Sequence, residues 1–309
     1  MDWETAIESF IQYLQLERGY TGNTLQAYKR DVLKLKSFLE RNYPEMLPSD
    51  VIALQIKKLL QFLTEIGLDA TTQARTLSGI KTFFNFLVLE EEIEASPAEL
   101  IDTPKIAQKI PDTLSFTEIE QIFSAVDLSE PSGQRDRAMV EVLYACGLRV
   151  TELCELKLSQ LFFNEGFIVV IGKGNKQRLV PIGADAMKFV NIYIHQVRVH
   201  NKVLPQHNDI VFLNNRGTPL SRVWVFLIIK RLCFEAKIEK NVSPHTFRHS
   251  FATHLLEGGA DLSIVQDLLG HSSITTTEIY THLDKNYLRE VIQMFHPMNQ
   301  VKKESNKTN

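Results

Sequence analysis

Residues 243–270 carry the clearest helix-start and helix-stop signals in the chain. Ser243 and Pro244 are typical of an N-cap and a first helical position. A serine oxygen can accept an unpaired backbone N–H, and proline has no N–H to leave unpaired. The glycine pair at 258–259 ends this helix, and a short amphipathic helix follows. Gly270 suits a left-handed cap at the end of this second helix. The sequence therefore predicts two short helices with defined ends.

Polar side chains cluster at the ends of these two helices. His245 lies in the first helical turn, where unpaired N–H groups favour an anion, and Arg248 follows at a spacing that shares a helix face. His271 comes directly after Gly270, and Tyr280 follows a Ser/Thr-rich run. Hydrogen-bond donors, imidazoles and a phenol held at helix ends predict a site that handles a phosphate group.

Composition limits the class of protein without identifying it. The 309 residues allow one large or two ordinary domains, and a hydrophobic content of 44% is enough for substantial cores. The acidic N-terminus is unlike a signal peptide, and the longest apolar run, residues 223–229, is too short to span a membrane. The net charge of −3 gives no general sign of nucleic-acid binding, so DNA contact would depend on local basic patches. Three cysteines without paired spacing predict reduced thiols in a cytoplasmic protein: Cys146, Cys154 and Cys233.

Residues 1–101 have the apolar periodicity of four helices, which predicts a compact all-α bundle. Basic residues follow the second and the fourth of these helices. Basic side chains on a polar helix face are usually solvated, so the charge pattern alone does not establish DNA contact. The candidates for DNA contact in this region are Lys29, Arg30, Lys34, Arg75 and Lys81.

Residues 102–112 contain two prolines and no apolar periodicity, which predicts a linker between domains. The expected domains are therefore residues 1–101 and residues 113–297. The polar residues 298–309 are expected to be disordered. Within the second domain, the Thr117–Glu120 pair fits a capping box at the start of a helix.

The segment around Gly172 predicts a β-hairpin. Residues 167–171 and 178–182 are short strand-like runs, and glycines 172 and 174 suit left-handed turn positions between them. The turn therefore presents Lys173 at its tip. From the residues alone, this is an ordinary charged turn. A small basic cluster beside it is completed by Lys176 and Arg178.

Arg149 lies between a predicted helix that stops near Gly147 and a short helix that contains Glu152. An arginine beside a helix end is usually a surface residue paired with a carboxylate. The residues alone therefore favour a structural role for Arg149.

Three segments, HTFRHSFATHLLEGG, LLGHSSITTTEIY and ACGLRVTELCEL, resemble the signature boxes of the tyrosine site-specific recombinases of the phage integrase family. The similarity covers essentially the whole chain and is greatest to the Xer branch, which resolves chromosome dimers in bacteria. It implies a mainly α fold. An N-terminal all-α, SAM-like domain would bind the core DNA site, and a C-terminal α+β catalytic domain would carry a small antiparallel β-hairpin.

The resemblance also implies roles for individual residues. Tyr280 would attack the scissile phosphate, form a 3′-phosphotyrosyl link and release a 5′ hydroxyl. Lys173 would protonate this leaving oxygen, while Glu152 and His282 would support the site. The catalytic set would consist of six residues: Arg149, Lys173, His245, Arg248, His271 and Tyr280.

These residue types suit the cleavage of a phosphodiester without a metal. A tyrosine hydroxyl has a pKa of about 10, so forming its anion at neutral pH costs about 4 kcal/mol, which nearby cations and a proton acceptor must offset. Arginine can bind two non-bridging phosphate oxygens at once, and its charge is most effective in a desolvated transition state. Histidine can hold phosphate oxygens or share the tyrosine proton. Because the phosphotyrosyl link conserves the bond energy, no cofactor is expected.

Partners follow from the same resemblance. We expect a double-stranded core site and a tetramer of recombinase protomers on two such sites, acting through a Holliday junction at a dif-like site before cell division. A second Xer-type recombinase and an FtsK-type DNA translocase are further partners that the branch implies. The amphipathic helix at residues 284–296 would pack on a neighbouring protomer, and the protein would be cytoplasmic.

Three alternatives remain open at this point. A zinc hydrolase would fit five histidines within residues 245–282, but neither HExxH nor paired cysteines occur, and the nearby arginines would repel a cation. A non-catalytic DNA-binding protein would share the fold, although all six catalytic residue types are present. A mobile-element integrase would share the chemistry, but an additional arm-binding domain is not evident. The five histidines are His245, His249, His254, His271 and His282.

Overall fold

The computed structural model describes residues 1–104, 112–172, 175–270 and 282–298, of which 282–286 are described by their backbone alone. The chain forms two compact units, Met1–Lys109 and Ile110–Asn309, each with its own hydrophobic core. Among the described residues, no helix is long and apolar enough to cross a membrane. The predicted mainly α fold with one small antiparallel sheet is confirmed.

The first unit is an all-α bundle, as predicted. Aspartates cap two of its helices: the Asp2 carboxylate accepts the backbone N–H of Thr5, and the Asp69 carboxylate accepts that of Thr72. The amphipathic faces of these helices meet in a shared apolar core. The α-helices described in this unit are α1 (Trp3–Leu16), α2 (Gly22–Asn42), α3 (Ala53–Glu65) and α4 (Ala70–Leu89).

A buried carboxylate joins α2 to α4. The Asp31 carboxylate accepts a hydrogen bond from Arg75 at 2.7 Å, and Lys34 Nζ lies 3.6 Å from its other oxygen. The Thr76 hydroxyl donates to the same carboxylate at 3.3 Å. Burial raises the pKa of Asp31, against the opposing effect of the two cations. Gly79 permits the close approach of the helices, because a Cβ there would lie 2.8 Å from the Asp31 Cβ.

The second unit combines helices with a three-stranded antiparallel sheet of order β1-β2-β3. The strands are β1 (Leu161–Phe162), β2 (Phe167–Ile171) and β3 (Gln177–Pro181). The pairing of β2 with β3 confirms the predicted hairpin. The helices described in this unit are α5 (Phe116–Ser124), α6 (Pro131–Ala145), α7 (Val150–Cys154), α8 (Ala184–Ile192), α9 (Arg222–Glu235), α10 (Pro244–Glu257), α11 (Leu262–Leu269) and α12 (His282–Phe295).

Helix α6 is the central helix of the second unit. Its buried residues, such as Met139, Leu143 and Tyr144, point in several directions, which is typical of a helix enclosed by its domain. It packs against α8 and α10. The helix stops before Gly147, as predicted: after the C-cap at Cys146, Gly147 takes a left-handed φ of +56° and turns the chain towards α7.

The predicted ends of α10 and α11 are confirmed. Ser243 is the N-cap of α10, with Pro244 in the first turn, and the Ser243 backbone N–H donates to the Thr246 hydroxyl at 3.0 Å. Gly258 is the C-cap of α10. Gly270 ends α11 with a left-handed φ of +67°. These local stops fix where the side chains at the helix ends can lie.

Two local predictions are wrong. The capping box of α5 joins Ser115 to Glu118 instead of the Thr117–Glu120 pair. The Ser115 N–H donates to the Glu118 carboxylate at 2.7 Å, and the Glu118 N–H donates to the Ser115 hydroxyl at 3.2 Å. In the hairpin turn, Gly172 does not take the left-handed backbone predicted for it, whereas Asn175 does, with a φ of +60°; Gly174, the other predicted position, lies outside the described residues. Asparagine tolerates this conformation better than most residues.

Helix α12 packs on its own unit in this structure. Val291 and Ile292 are buried in the core of the second unit. Gly258 permits the approach of the last turn, because a Cβ at that position would lie 2.6 Å from the Phe295 carbonyl oxygen. The predicted packing of residues 284–296 on a neighbouring protomer concerns an assembled state, and it stays a prediction.

Directly after α12, His296 inserts an imidazole into the core. The side chain is buried, and its ring centroid lies 4.8 Å from that of Tyr144 and 5.6 Å from that of Phe251. Among the described residues, Nε2 has no hydrogen-bond partner. Burial, and then the neighbouring His254, lower the pKa of His296 to about 3. The folded chain therefore holds this imidazole neutral.

We expect the second unit to lose stability below about pH 6.5 through His296. The unfolded imidazole binds a proton near its usual pKa of 6.5, whereas the folded one does so only near 3. The unfolded state therefore binds more protons in this window, and the free energy of unfolding falls by up to about 1.4 kcal/mol per pH unit. Urea denaturation at several pH values measures this slope.

In His296→Phe, an aromatic ring fills the same space without titrating, so the slope should become shallower. A smaller slope will remain, because burial also lowers the pKa of His254. The exposed His249 provides the control: His249→Phe should retain the wild-type slope. Equal slopes in His296→Phe and in the wild type would contradict the prediction.

Candidate active site

Three arginines from three different elements bind the C-terminal end of α11. The carbonyls of residues 268–270 accept, in turn, Arg178 Nε at 2.9 Å, Arg248 Nη2 at 2.6 Å and Arg149 Nη2 at 3.4 Å. The last carbonyls of a helix lack intrahelical partners and carry partial negative charge. This helix end therefore gathers guanidinium groups from α10, from β3 and from the residue before α7.

Glu152 on α7 is a carboxylate that the same three arginines share. Its Oε1 accepts Arg149 Nη1 and Arg178 Nη1, both at 2.8 Å. Its Oε2 accepts Arg178 Nη2 at 2.9 Å and the backbone N–H of Arg149 at 2.8 Å, and it lies 3.9 Å from Arg248 Nη1. The Glu152 side chain is 2% exposed. The predicted supporting residue thus lies at the centre of the cluster.

The charges of this cluster shift one another's pKa values. Burial alone would raise the pKa of Glu152, but the hydrogen bonds and charge of Arg178, followed by the bonds from Arg149, hold it below its usual value. Burial, followed by the charge of Arg149, lowers the pKa of Arg248 to about 10. At neutral pH the cluster therefore contains one carboxylate and three guanidinium cations.

Arg149 and Arg248 retain the capacity to bind an anion. Each terminal guanidinium nitrogen carries two hydrogens. Arg248 donates one from Nη1 to the Gly147 carbonyl at 2.8 Å and one from Nη2 to the end of α11. The Arg149 side chain is 34% exposed, so its remaining donors can reach a ligand. Two cations held beside one buried carboxylate suit the binding of two non-bridging phosphate oxygens.

His245 lies in the first turn of α10, as predicted, and its residue is exposed. Arg248 follows three positions later on the same helix and is buried beneath this surface. His249 is exposed as well. The first turn of α10 therefore presents an imidazole next to the unpaired N–H groups of a helix N-terminus, which favours an anion.

Three predicted catalytic residues, Lys173, His271 and Tyr280, lie outside the described residues. Their described neighbours show where the chain enters these segments. The Gly172 N–H donates to the Lys176 carbonyl at 2.8 Å, which closes the hairpin around position 173. Gly270 lies at the arginine-bound end of α11. The side chain of His282, the first residue of α12, also lies outside the described set, so its supporting role stays a prediction.

The prediction that Arg178 contacts DNA is not supported by its position. The side chain is 7% exposed, and its guanidinium forks onto Glu152 while Nε binds the Leu268 carbonyl. Sequence reasoning missed this internal role because the residue was grouped with the exposed Lys176. The alternation of β3 was the available signal, since Arg178 and the buried Val180 point to the same face of the strand.

The other candidates for DNA contact differ in their surroundings. Lys34 and Arg75 are bound to the buried Asp31, so part of their charge is neutralised within the bundle. Lys81 donates to the Glu99 carbonyl at 3.3 Å. DNA contact by any of them stays a prediction. Four candidates have exposed side chains: Lys29, Arg30, Arg75 and Lys176. Arg75 is exposed although it forms an ion pair with Asp31.

Potential metal ligands are dispersed in the part of the chain that the structure describes, where no three His, Cys, Asp or Glu side chains come together. The three cysteines are buried and unpaired. Burial raises the pKa of the Cys146 thiol, which lies close to Arg178, to about 12. Cys146 is therefore an inert neighbour of the arginine cluster at neutral pH.

Known proteins share both the sequence and the fold. Residues 112–287 match the phage integrase family, and residues 7–91 match the N-terminal SAM-like domain of phage integrases. The chain is 43% identical to tyrosine recombinase XerD of Chlorobaculum tepidum over 298 residues, which cover 96% of this chain and 97% of the relative. It is 42% identical to tyrosine recombinase XerD of Listeria monocytogenes over 291 residues, or 94% and 98% of the two chains. The crystal structure of XerH site-specific recombinase bound to a palindromic difH substrate matches with a TM-score of 0.70 and 24% identity, over 93% of this chain and 84% of that chain.

Proposed function

Because the chain belongs to the phage integrase family, the tyrosine recombinases that cleave and rejoin DNA, we propose that it is a site-specific recombinase acting on a double-stranded core site. Tyr280 attacks the scissile phosphate, forming a 3′-phosphotyrosyl link and a 5′ hydroxyl. The 5′ hydroxyl of a second strand then attacks this link and releases the tyrosine. Two such exchanges, separated by a Holliday junction, recombine two sites.

The observation that carries the proposal is the arrangement of Arg149 and Arg248 around Glu152. A phosphodiester becomes more negatively charged at its non-bridging oxygens as the fifth oxygen approaches. Two guanidinium cations held at 2.8 Å and 3.9 Å from one buried carboxylate supply positive charge and N–H donors without further reorganisation. The partial exposure of Arg149 leaves an opening for the DNA backbone.

The remaining roles concern the transfer of protons. Lys173, which lies in sequence between β2 and β3, protonates the leaving 5′ oxygen. His245, exposed on α10, and His271, directly after α11, hold phosphate oxygens or share the tyrosine proton. His282 orders the segment that follows Tyr280. None of these steps requires a cofactor, because the phosphotyrosyl link conserves the energy of the cleaved bond.

In the cell, the reaction proposed for this chain is the resolution of chromosome dimers at a dif-like site before division. The support is the similarity to two XerD recombinases over nearly the whole length of each chain. A second Xer-type recombinase and an FtsK-type translocase are the proposed partners, and the proposed location is the cytoplasm. Recombination of two core sites requires four protomers, one for each cleaved strand.

Helix α12 provides the proposed link between protomers. It follows Tyr280 almost directly, and here it packs on its own unit through a buried apolar face. In the tetramer it would leave this position and pack on the neighbouring protomer. Transfer of the helix would then move the nucleophile's segment, so assembly and activity would be coupled.

The experiment that tests the proposal uses a nicked duplex whose short strand diffuses away after cleavage. The wild-type protein should form a covalent adduct with this duplex in the presence of EDTA and in the absence of ATP. The cations that stabilise the transition state are side chains of the protein itself, so a chelator should not change the yield. Denaturing electrophoresis of labelled DNA measures the adduct.

The substrate for this experiment is the native core site, which footprinting on genomic DNA can locate. Duplex of unrelated sequence is the control and should give little adduct. A requirement for a divalent metal in the cleavage step itself would favour a metal-dependent hydrolase. DNA binding without any adduct would favour a non-catalytic DNA-binding protein.

A further inference from the structure

We propose that Arg178 is a positioning residue for strand cleavage, which acts through Glu152 to hold Arg149 and Arg248 at the scissile phosphate. This inference rests on the proposed function, since it assigns a role within the same site. Arg178 is separated from solvent, so it is not assigned a contact with DNA. Its effect on the reaction is transmitted by the carboxylate that it binds.

The first argument is the geometry of the fork between Arg178 and Glu152. Two parallel N–H···O bonds, at 2.8 Å and 2.9 Å, join the guanidinium to both carboxylate oxygens. This arrangement fixes the plane of the carboxylate as well as its position. The orientation of that plane determines where Arg149 Nη1 and the Arg149 backbone N–H bind. Arg178 thus sets the template on which Arg149 is held.

The second argument is the contact of Arg178 with the end of α11. Its Nε donates to the Leu268 carbonyl at 2.9 Å. A Cβ at Gly270 would lie 3.0 Å from Arg178 Cδ, so the arginine stem packs directly on the glycine backbone. The neighbouring Leu269 carbonyl binds Arg248. A single buried side chain therefore contacts both the carboxylate and the helix end whose next two carbonyls, those of Leu269 and Gly270, bind Arg248 and Arg149.

The third argument is electrostatic. Among the described residues, the charged groups that face Glu152 are Arg149 beside α7, Arg178 on β3 and Arg248 on α10, and the Cys146 thiol after α6 lies near Arg178. Among the groups that lower the pKa of Glu152, Arg178 has the largest effect, and burial opposes it. Without Arg178, the buried carboxyl should bind a proton at a higher pH and release Arg149 as it does so.

The test compares single-turnover cleavage rates of the wild type and Arg178→Gln between about pH 5.5 and 8.5, with duplex affinity measured separately. We expect Arg178→Gln to cleave at least about tenfold more slowly at neutral pH and to lose a further factor of about ten per pH unit on the acid side. Duplex affinity should change little. In Arg178→Gln combined with Glu152→Gln, the additional acid limb should disappear, because the titrating carboxyl is absent.

Arg135 offers a matched control. It is also a buried arginine that donates two hydrogen bonds to a buried carboxylate, both to Oδ1 of Asp136, and one to a backbone carbonyl, that of Leu213. Arg135→Gln should lower the thermal stability of the unit to a similar extent while keeping the wild-type pH profile. If Arg178→Gln does not fold, Arg178→Lys serves instead. The lysine of this variant keeps a positive charge beside Glu152 but cannot bind both carboxylate oxygens. The acid limb of Arg178→Lys should therefore begin at a lower pH than the limb expected for Arg178→Gln.

The outcomes separate the inference from the proposed function. Adduct formation by the wild type, together with a wild-type pH profile in Arg178→Gln or Arg178→Lys, would show that Arg178 is merely structural and would overturn the inference alone. Absence of any adduct with the wild type would overturn the proposed function, and the inference with it. A new acid limb that depends on Glu152 would support both.

Discussion

Tyr280→Phe is expected to abolish strand cleavage and to leave the affinity for duplex DNA nearly unchanged. The substitution removes the nucleophilic oxygen and keeps the ring. Affinity for DNA depends mainly on phosphate contacts spread over the protein surface, so it should be preserved. Adduct formation on the nicked duplex measures cleavage, and an electrophoretic mobility assay measures binding.

Tyr287→Phe is the matched control for this experiment. Tyr287 lies on α12 a few positions after Tyr280 and is exposed, so loss of its hydroxyl should not affect the adduct yield. Mass spectrometry of the wild-type adduct should locate the DNA on Tyr280. Undiminished adduct formation by Tyr280→Phe would refute the assignment of the nucleophile.

Glu152→Ala is expected to lower the free energy of unfolding of the second unit by about 3–5 kcal/mol at neutral pH. It leaves Arg149, Arg178 and Arg248 facing one another without their carboxylate. Because the folded pKa of Glu152 is depressed, its contribution is complete above the usual pKa of 4.5 and is lost as the pH falls through the folded value. The difference between the two proteins should therefore shrink in acid, which urea denaturation at two pH values can measure.

Glu155→Ala controls for the loss of a carboxylate from the same segment. Glu155 is the exposed C-cap of α7, so its removal should change stability by no more than about 0.5 kcal/mol. Equal destabilisation by the two substitutions would show that the arginines find other partners. Glu152→Ala should also reduce cleavage strongly, since Arg149 loses the group that orients it.

Local signals made the helix ends near the site predictable. Ser243, Gly258 and Gly270 act on their own backbone neighbours, so their effect can be read from adjacent residues. The same reasoning failed at α5, where both Ser115 and Thr117 have an acidic residue three positions later. The pair in the structure gains a further partner, because Lys240 binds Glu118 at 2.7 Å. That tertiary contact was invisible in the local pattern.

The partners of the buried charges could not be predicted from the local pattern. Arg178 and Lys176 have similar sequence surroundings, yet one is buried and the other is exposed. Lys176 precedes β3 and lies in the exposed turn, whereas Arg178 lies within β3, on the same face as the buried Val180, where it meets the Glu152 carboxylate. In the first unit, Asp31 likewise captures Arg75 from a helix forty-four positions away. Such pairs depend on how the helices pack.

The hydrogen bonds of the arginine cluster span long stretches of sequence, and this affects how the protein is made. Arg149 binds Gly270 across 121 residues, and Arg248 binds Gly147 across 101. Since synthesis proceeds from the N-terminus, the ribosome must pass residue 270 before these bonds can form. A nascent chain that ends before residue 270 therefore lacks the helix end that holds Arg149 and Arg248, and with it the arrangement on which the proposed cleavage depends.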